Sequence, residues 1–153
     1  MFKEALITFF TAMLPVVELR GAIPYGVIAG LSVPAAFIIS VIGNLVPIPF
    51  AVVFIRRFFE WFRTINSFFD KIVRWFEAKA DRNKDKVLKY EFWGLVLLVA
   101  IPLPGTGAWT GALVAAMMDM QLKRAMPAIS LGVFIAGIIV TTLTYGAGAL
   151  LTL

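Results

Sequence analysis

The sequence predicts an all-α integral membrane protein built from two inverted repeats, each a re-entrant helical hairpin followed by a transmembrane helix. Of the 153 residues, 61% are hydrophobic and 15% are charged, whereas about 25% of the residues of a soluble domain are charged. Several apolar runs reach the roughly 20 residues that a helix needs to cross a bilayer. The chain therefore requires lipid as its solvent.

The hydropathy and charge pattern divides a single membrane domain, residues 1–153, into three blocks. These are a first repeat at 1–55, with a hairpin at about 5–30 and a span at 34–55, a basic and aromatic amphipathic segment at 56–91, and a second repeat at 92–153, with a hairpin at about 92–118 and a span at 125–150. The repeat rests on matched positions: Pro15 and Pro102 lie 87 residues apart, and Gly43 and Gly132 lie 89 apart. This near-constant offset indicates internal symmetry of the kind found in transporters.

Short apolar pieces on either side of each break predict the hairpins. Ala5–Leu14 has about half the length that a spanning helix needs, and Pro15 ends it by removing a hydrogen-bond donor. Ala22–Gly30 then returns, and Phe92–Ile101 with Ala108–Met118 forms the same pair. Irregular backbone at membrane depth is stable only where protein or a water-filled cavity satisfies its polar groups. We therefore expect a cavity at the breaks.

Basic residues orient the domain. Ten of the fourteen lie between Arg56 and Lys89, which places this segment in the cytoplasm by the positive-inside rule. A re-entrant second hairpin returns Lys123 and Arg124 to the same side, whereas four full spans would place them outside. The helix predicted at 56–76 either lies on the cytoplasmic leaflet or packs against the bundle or a dimer partner. Its apolar stripe consists of Phe58, Phe62, Ile65, Phe69, Ile72 and Phe76.

Two ionisable residues, Glu18 and Arg20, stand inside the first apolar block, in a stretch that also contains Gly21 and Pro24. A charge at bilayer depth costs at least about 2.5–3.5 kcal/mol, so intramembrane charges are usually functional. In an extended or broken segment both side chains point toward one cavity, where they pair with each other or bind a ligand. We interpret them as one wall of a substrate and proton site. The alternative is an ion pair that only pins the hairpin.

The matching segment of the second repeat carries no charge but many turn-forming residues. It supplies the other wall of the site through Pro102, Pro104, Gly105, Thr106, Gly107, Trp109 and Thr110. Thr106 or Thr110 would cap a helix that begins near Ala108, whose positive end would attract an anionic head group. The alternative is a break needed only for a tight turn. Asn44, in the first span, either bonds across helices or lines the transport path.

The residues that the chain lacks exclude several kinds of chemistry. No Cys and no His occur, which removes disulfides, thiolate chemistry and imidazole metal sites. No nucleophile is paired with a base, so we expect neither an enzyme nor a cofactor or metal. The positive charges, net +5, flank apolar spans instead of forming a solvated groove, so the expected partner is membrane lipid and not nucleic acid.

The motifs Glu18–Pro24 and Ile101–Gly111 together resemble the small multi-drug export family, and the likeness covers essentially the whole chain. That family is similar in turn to the DedA/VTT superfamily of membrane proteins. The resemblance implies paired re-entrant hairpins and spans, and movement of amphipathic substrates such as lipid-carrier phosphates. It also implies that Glu18 and Arg20 are the acidic and basic members of the site. We expect residence in the cytoplasmic (inner) membrane of a prokaryote.

These observations favour a small secondary transporter. Glu18 would take up and release a proton, while Arg20 and the helix start at 106–110 hold the anionic head of an amphipathic substrate, as in a flippase. One alternative is proton-coupled efflux of cationic amphiphiles, which the fixed charge of Arg20 disfavours. Another is a non-transporting scaffold that acts through the 56–76 helix. Since a chain this small shields little cavity alone, we expect a homo-oligomer, most simply a dimer.

Overall fold

The computed structural model of the chain describes residues 1–65, 71, 84–103 and 105–146, and the regular elements within these ranges are all α-helices. They are α1 (Phe2–Met13), α2 (Glu18–Ile28), α3 (Val33–Leu45), α4 (Ile48–Ile65), α5 (Lys84–Ala100), α6 (Ala108–Met117) and α7 (Leu122–Tyr145). The all-α fold class is thereby confirmed. Two stretches, Val33–Phe58 and Leu122–Tyr145, are long and apolar enough to cross a membrane.

The first half of the chain is a helical hairpin, α1 and α2, packed on α3 so that all three helices contact one another. Leu14 is extended, with φ −70° and ψ 133°, because the residue before a proline is pushed out of the helical region. The second helix begins at Glu18, four residues earlier than the apolar piece Ala22–Gly30 predicted, and it continues through Pro24. Contacts with the other half of the chain, described below, hold this charged first turn, in which Glu18 has a left-handed backbone.

The predicted span at 34–55 is divided. Helix α3 begins behind Ser32, whose hydroxyl accepts a hydrogen bond from the backbone N–H of Ala35 at 3.4 Å, and it ends before Val46-Pro47. Helix α4 then runs from Ile48 to Ile65 without a break at Arg56, so the span and the start of the amphipathic segment form one helix. The rest of the predicted 56–76 stripe lies outside the described residues, except for residue 71.

The second half also contains a helical hairpin followed by a longer helix. Helices α5 and α6 are joined by a turn that contains Pro102, and both contact α7. Pro104 lies outside the described residues. The start of α6 at Ala108 agrees with the prediction.

Within each half of the chain, a glycine makes a similar close contact between helices. A Cβ built on Gly43 of α3 would lie 2.5 Å from the carbonyl oxygen of Phe9 and 3.1 Å from the Cβ of Ala12, both on α1. A Cβ on Gly132 of α7 would lie 2.9 Å from the carbonyl oxygen of Val96 and 2.6 Å from the Cβ of Val99, both on α5. In each half, therefore, a glycine lets the long helix approach the backbone of the first hairpin helix.

Candidate functional site

The turns of the two hairpins meet, and the contacts between them involve Glu18 and Arg20. Both residues lie in the first turn of α2, whereas the sequence predicted an extended or broken segment. Residues two apart on a helix do not face each other, so the two side chains diverge. Glu18 reaches the beginning of α6, and Arg20 reaches the turn before it.

The carboxylate of Glu18 occupies the N-terminus of α6. The side chain is buried, with 4% of its residue surface exposed, and its Oε1 accepts a hydrogen bond from the backbone N–H of Trp109 at 3.2 Å. The unpaired N–H groups at a helix start favour negative charge. Glu18 itself has a left-handed backbone, with φ 50°, a conformation that costs a residue with a side chain about 1–2 kcal/mol. The surrounding contacts therefore hold the carboxylate in place against local strain.

Gly107 makes this position possible. It is the N-cap of α6, with φ 132° and ψ −167°, a region of backbone space that is essentially restricted to glycine. A Cβ at this position would collide with the Glu18 carboxylate. The absence of a side chain thus provides both the turn and the space for the carboxylate.

The guanidinium of Arg20 donates hydrogen bonds to three oxygen atoms of the turn that joins α5 and α6. One terminal nitrogen donates to the Thr106 hydroxyl at 2.9 Å and to the carbonyl oxygen of Ile101 at 3.3 Å. The other donates to the carbonyl oxygen of Leu103. The Nε–H of Arg20 is buried and has no partner among the described residues. One directional donor of the guanidinium therefore remains available at the site.

The prediction that Thr106 or Thr110 caps α6 is wrong. The hydroxyl of Thr106 contacts the carbonyl oxygen of Ile101 at 2.6 Å and that of Leu103 at 2.8 Å. That of Thr110 donates to the carbonyl oxygen of Gly105 at 2.9 Å. Both hydroxyls therefore stabilise the turn, and the side chain that accepts a hydrogen bond at the start of α6 is Glu18.

Trp109 adds a contact that the sequence did not indicate. Its indole N–H donates to the carbonyl oxygen of Met13 at 3.1 Å. Because Pro15 ends α1, the last carbonyl groups of that helix lack partners within the helix. The sequence indicated that the carbonyl groups at the end of α1 need hydrogen-bond donors, because Pro15 ends that helix. It did not indicate which donor bonds to them.

Three other predicted site residues lie apart from these contacts. Gly21 and Pro24 follow within α2, and the carbonyl oxygen of Pro24 accepts a hydrogen bond from the Tyr145 hydroxyl of α7 at 3.4 Å. Asn44 is fully buried on α3, and its amide has no hydrogen-bond partner among the described residues. The structure therefore brings Glu18, Arg20, Thr106, Gly107 and Trp109 together, and it leaves Gly21, Pro24 and Asn44 outside that cluster.

Glu18 and Arg20 do not form an ion pair. Within the ranges that the structure describes, the ion pairs join the N-terminal amine to Glu4, and Arg56 to Asp119 at 3.2 Å. Asp119 is 68% exposed, and its partner Arg56 also donates to the carbonyl oxygen of Met120. The described residues contain no cluster of three or more acidic side chains that would hold a metal ion.

Comparison with known families assigns the chain. A family model described as "putative small multi-drug export protein" matches residues 18–139, well over half of the chain, and includes both hairpin turns. No curated protein and no solved structure matches significantly. The family description is that of an exporter, that is, a transporter and not a known enzyme, and the two long apolar stretches fit a membrane protein. The chain therefore belongs to the small multi-drug export family.

Proposed function

We propose that the protein is a small secondary transporter that moves an amphipathic substrate with an anionic head group, such as a lipid phosphate, together with a proton carried by Glu18. The observation that carries this proposal is the position of the Glu18 carboxylate at the start of α6. A helix start with free N–H groups binds anions, and here the anion in that place is a side chain that can be neutralised by a proton.

Protonation would change both the charge and the occupancy of the site. With Glu18 ionised, its charge offsets that of Arg20, and the N–H of Trp109 is used by the carboxylate. With Glu18 protonated, the site carries a net positive charge, and the bond to Trp109 weakens because it is no longer assisted by charge. A phosphate could then accept from the helix start and from the buried Nε–H of Arg20.

The order of these events predicts the direction of coupling. Since the proton makes room for the anionic head group, proton and substrate bind together and cross in the same direction. The family description names export of drugs, and a cationic drug would instead compete with the proton for Glu18 and would cross in exchange for it. The fixed charge of Arg20 beside Glu18 favours the anionic substrate.

The hairpins would provide the pathway by entering the membrane from opposite faces as inverted repeats. Helix α1 has 12 residues and α6 has 10. At 1.5 Å per residue, helices this short cross only about half of a bilayer core. The equivalent contacts of Gly43 and Gly132 support the repeat. A cytoplasmic 56–91 segment, an inner-membrane location and a dimer remain predictions, as does the scaffold alternative, since much of the 56–76 helix lies outside the described residues.

The coupling can be tested in proteoliposomes that contain a pH-sensitive dye. The anionic probe is short-chain fluorescent phosphatidic acid, and the cationic probe is tetraphenylphosphonium. We expect inward movement of the anionic probe to acidify the lumen, and probe binding to tighten as the pH falls. Glu18→Gln, which mimics the protonated side chain, should bind the anionic probe independently of pH and should lose the proton signal. Arg20→Ala should lose probe binding.

Matched controls are Glu4→Gln and Arg57→Ala, which change a carboxylate and a guanidinium outside the site. Both should behave as the wild type. Movement of tetraphenylphosphonium in exchange for protons, with no movement of the anionic probe, would establish drug efflux instead. Unchanged proton-coupled transport in both Glu18→Gln and Arg20→Ala would refute either form of the proposal.

A further inference from the structure

Three buried, uncharged polar side chains lack hydrogen-bond partners among the residues that the structure describes. Ser40, Asn44 and Thr141 are each 0% exposed. The hydroxyl oxygens of Ser40 and Thr141, and both amide atoms of Asn44, make no hydrogen bond to any part of the chain that the structure describes. Buried polar groups in folded proteins are nearly always hydrogen-bonded, because an unpaired one loses its bonds to water without replacement. Thr8 shows the usual solution, since its buried hydroxyl donates to the carbonyl oxygen of Glu4 at 2.8 Å.

Helical spacing places the three side chains on or next to the faces of α3 and α7 that contact each other. Ser40 and Asn44 are one turn apart on α3, on the same face as Phe37. The ring of Phe37 lies against Gly137 of α7, where a Cβ would come within 2.7 Å of the ring. Thr141 follows Gly137 by one turn on that face of α7. We refer to Thr141, Ser40 and Asn44 as the polar column.

The glycine contacts fix the direction of the column. Gly43 lies beside Ala12, at the end of α1 that leads into the turn before Glu18, and Gly132 lies beside Val99 at the corresponding end of α5. Since the two hairpin turns meet, both glycines lie near that level. Gly137, five residues beyond Gly132, lies against Phe37, six residues before Gly43. Helices α3 and α7 are therefore antiparallel, and Thr141 lies on the side of Phe37 that is away from the hairpin turns.

The column thus runs from the end of α3 at Ser32 toward the level of the hairpin turns. Thr141 comes first, Ser40 lies beyond Phe37, and Asn44 is adjacent to Gly43. The aromatic ring of Phe37, which also packs edge-on against Phe134 at 5.6 Å between ring centroids, lies at the level between the outer hydroxyl and the inner pair, so water that joins them would lie beside this ring. Each member of the column is neutral, and each offers both a donor and an acceptor.

We propose that the polar column binds a file of water molecules that carries protons between the outer end of α3 and the level of Glu18. This inference rests on the proposed function, which requires that a proton reach a buried carboxylate. Water fits the column because every member can donate to one water molecule and accept from the next. An alkali cation fits less well, since the column supplies three side-chain oxygens and no carboxylate. Protons would pass by exchange along the file, one entering as another leaves toward Glu18.

Hydroxyl-radical labelling tests hydration directly, in substrate-free protein in nanodiscs, because radicals formed from bound water modify the side chains that touch it. Phe37 is only 5% exposed, yet we expect it to be labelled in the wild type. Asn44→Leu and Ser40→Ala should reduce its labelling several-fold. Met120, which is 4% exposed and lies beside Arg56, should be labelled equally in all variants and so reports general loosening of the fold.

Stability and proton uptake provide the second measurement. If Asn44 serves hydration, Asn44→Leu should unfold at the same or a higher temperature than the wild type, because it removes unpaired polar atoms, while proton uptake falls several-fold. Thr141→Val should slow proton uptake. Its neighbour control, Thr142→Val, should not, since the Thr142 hydroxyl donates locally to the carbonyl oxygen of Ile138 at 2.8 Å.

Labelling of Phe37 that is absent in the wild type, or that persists in Asn44→Leu, would overturn the inference. An increase in unfolding temperature with sodium that Asn44→Leu abolishes would assign the column to a cation and would also overturn it. If neither transport probe moves, the proposed function fails, but the labelling still decides whether the column holds water. The two proposals can therefore fail separately.

Discussion

Adding one methyl group at Gly107 should release the Glu18 carboxylate from the start of α6. In Gly107→Ala the new Cβ would collide with that carboxylate. Glu18 would then have to leave the N–H of Trp109, to which it bonds at 3.2 Å. The backbone of Gly107, with φ 132° and ψ −167°, would also have to change. We expect a large loss of stability for so small a substitution.

The structure separates two contributions to this loss. A backbone conformation restricted to glycine costs an alanine about 1–3 kcal/mol, and a hydrogen bond to a charged group contributes about 1.5–3 kcal/mol. Gly107→Ala should therefore lower the free energy of unfolding by about 2.5–6 kcal/mol. Gly105→Ala is the matched control, because Gly105 has φ 82° and open space around its Cβ position. It should cost only about 1–2 kcal/mol, the penalty of a left-handed backbone.

A double-mutant cycle with Glu18→Ala isolates the collision. The free energy of unfolding would be measured by SDS titration in mixed micelles for the wild type, both single variants and the double variant. Without the Glu18 carboxylate, the substitution at Gly107 should cost only its backbone penalty, which gives a coupling energy of about 1.5–3 kcal/mol. A coupling energy near zero, or equal losses for Gly107→Ala and Gly105→Ala, would show that Glu18 does not depend on Gly107.

Three further predictions concern contacts that hold the hairpins. Arg20→Lys should lower the free energy of unfolding by about 1–3 kcal/mol in the same SDS titration, because a single ammonium group cannot replace the planar guanidinium at three oxygen acceptors. Restored stability at high pH would contradict this reading. Trp109→Phe keeps an aromatic ring but loses the hydrogen bond to Met13, so it should cost about 1 kcal/mol plus lost packing. An unchanged free energy of unfolding would show that the indole N–H does not bond to Met13. Gly43→Ala and Gly132→Ala should each cost about 1–3 kcal/mol through overpacking, and a large effect in one half alone would argue against equivalent halves.

Much of the fold followed from local rules. Proline removes a donor and restricts its neighbour, so the end of α1 near Leu14 could be predicted from Pro15. The start of α6 at Ala108 followed from the glycines and prolines before it. The beginning of α2 could not be found this way. The sequence placed Glu18 and Arg20 in an extended or broken segment before Ala22, whereas contacts with the other hairpin hold them in the first turn of α2.

The geometry of the site was less accessible to sequence analysis than its composition. The sequence indicated that Glu18, Arg20 and the segment at 102–110 belong together, but not that a carboxylate would act as the cap of α6. That contact joins residues 91 positions apart, and it depends on how two hairpins meet, which no local pattern encodes. The acceptors of Arg20 are largely backbone carbonyl groups, and every residue has one, so composition could not single them out.

The use of main-chain oxygens by Arg20 has a consequence for how relatives of this protein diverge. The carbonyl groups of Ile101 and Leu103 accept from the guanidinium, while both residues are about half exposed. A main-chain acceptor survives exchange of its own side chain as long as the backbone keeps its path. The side chains at these two positions can therefore change in size and shape during evolution. Such changes would alter the apolar surface beside Arg20 without weakening its hydrogen bonds.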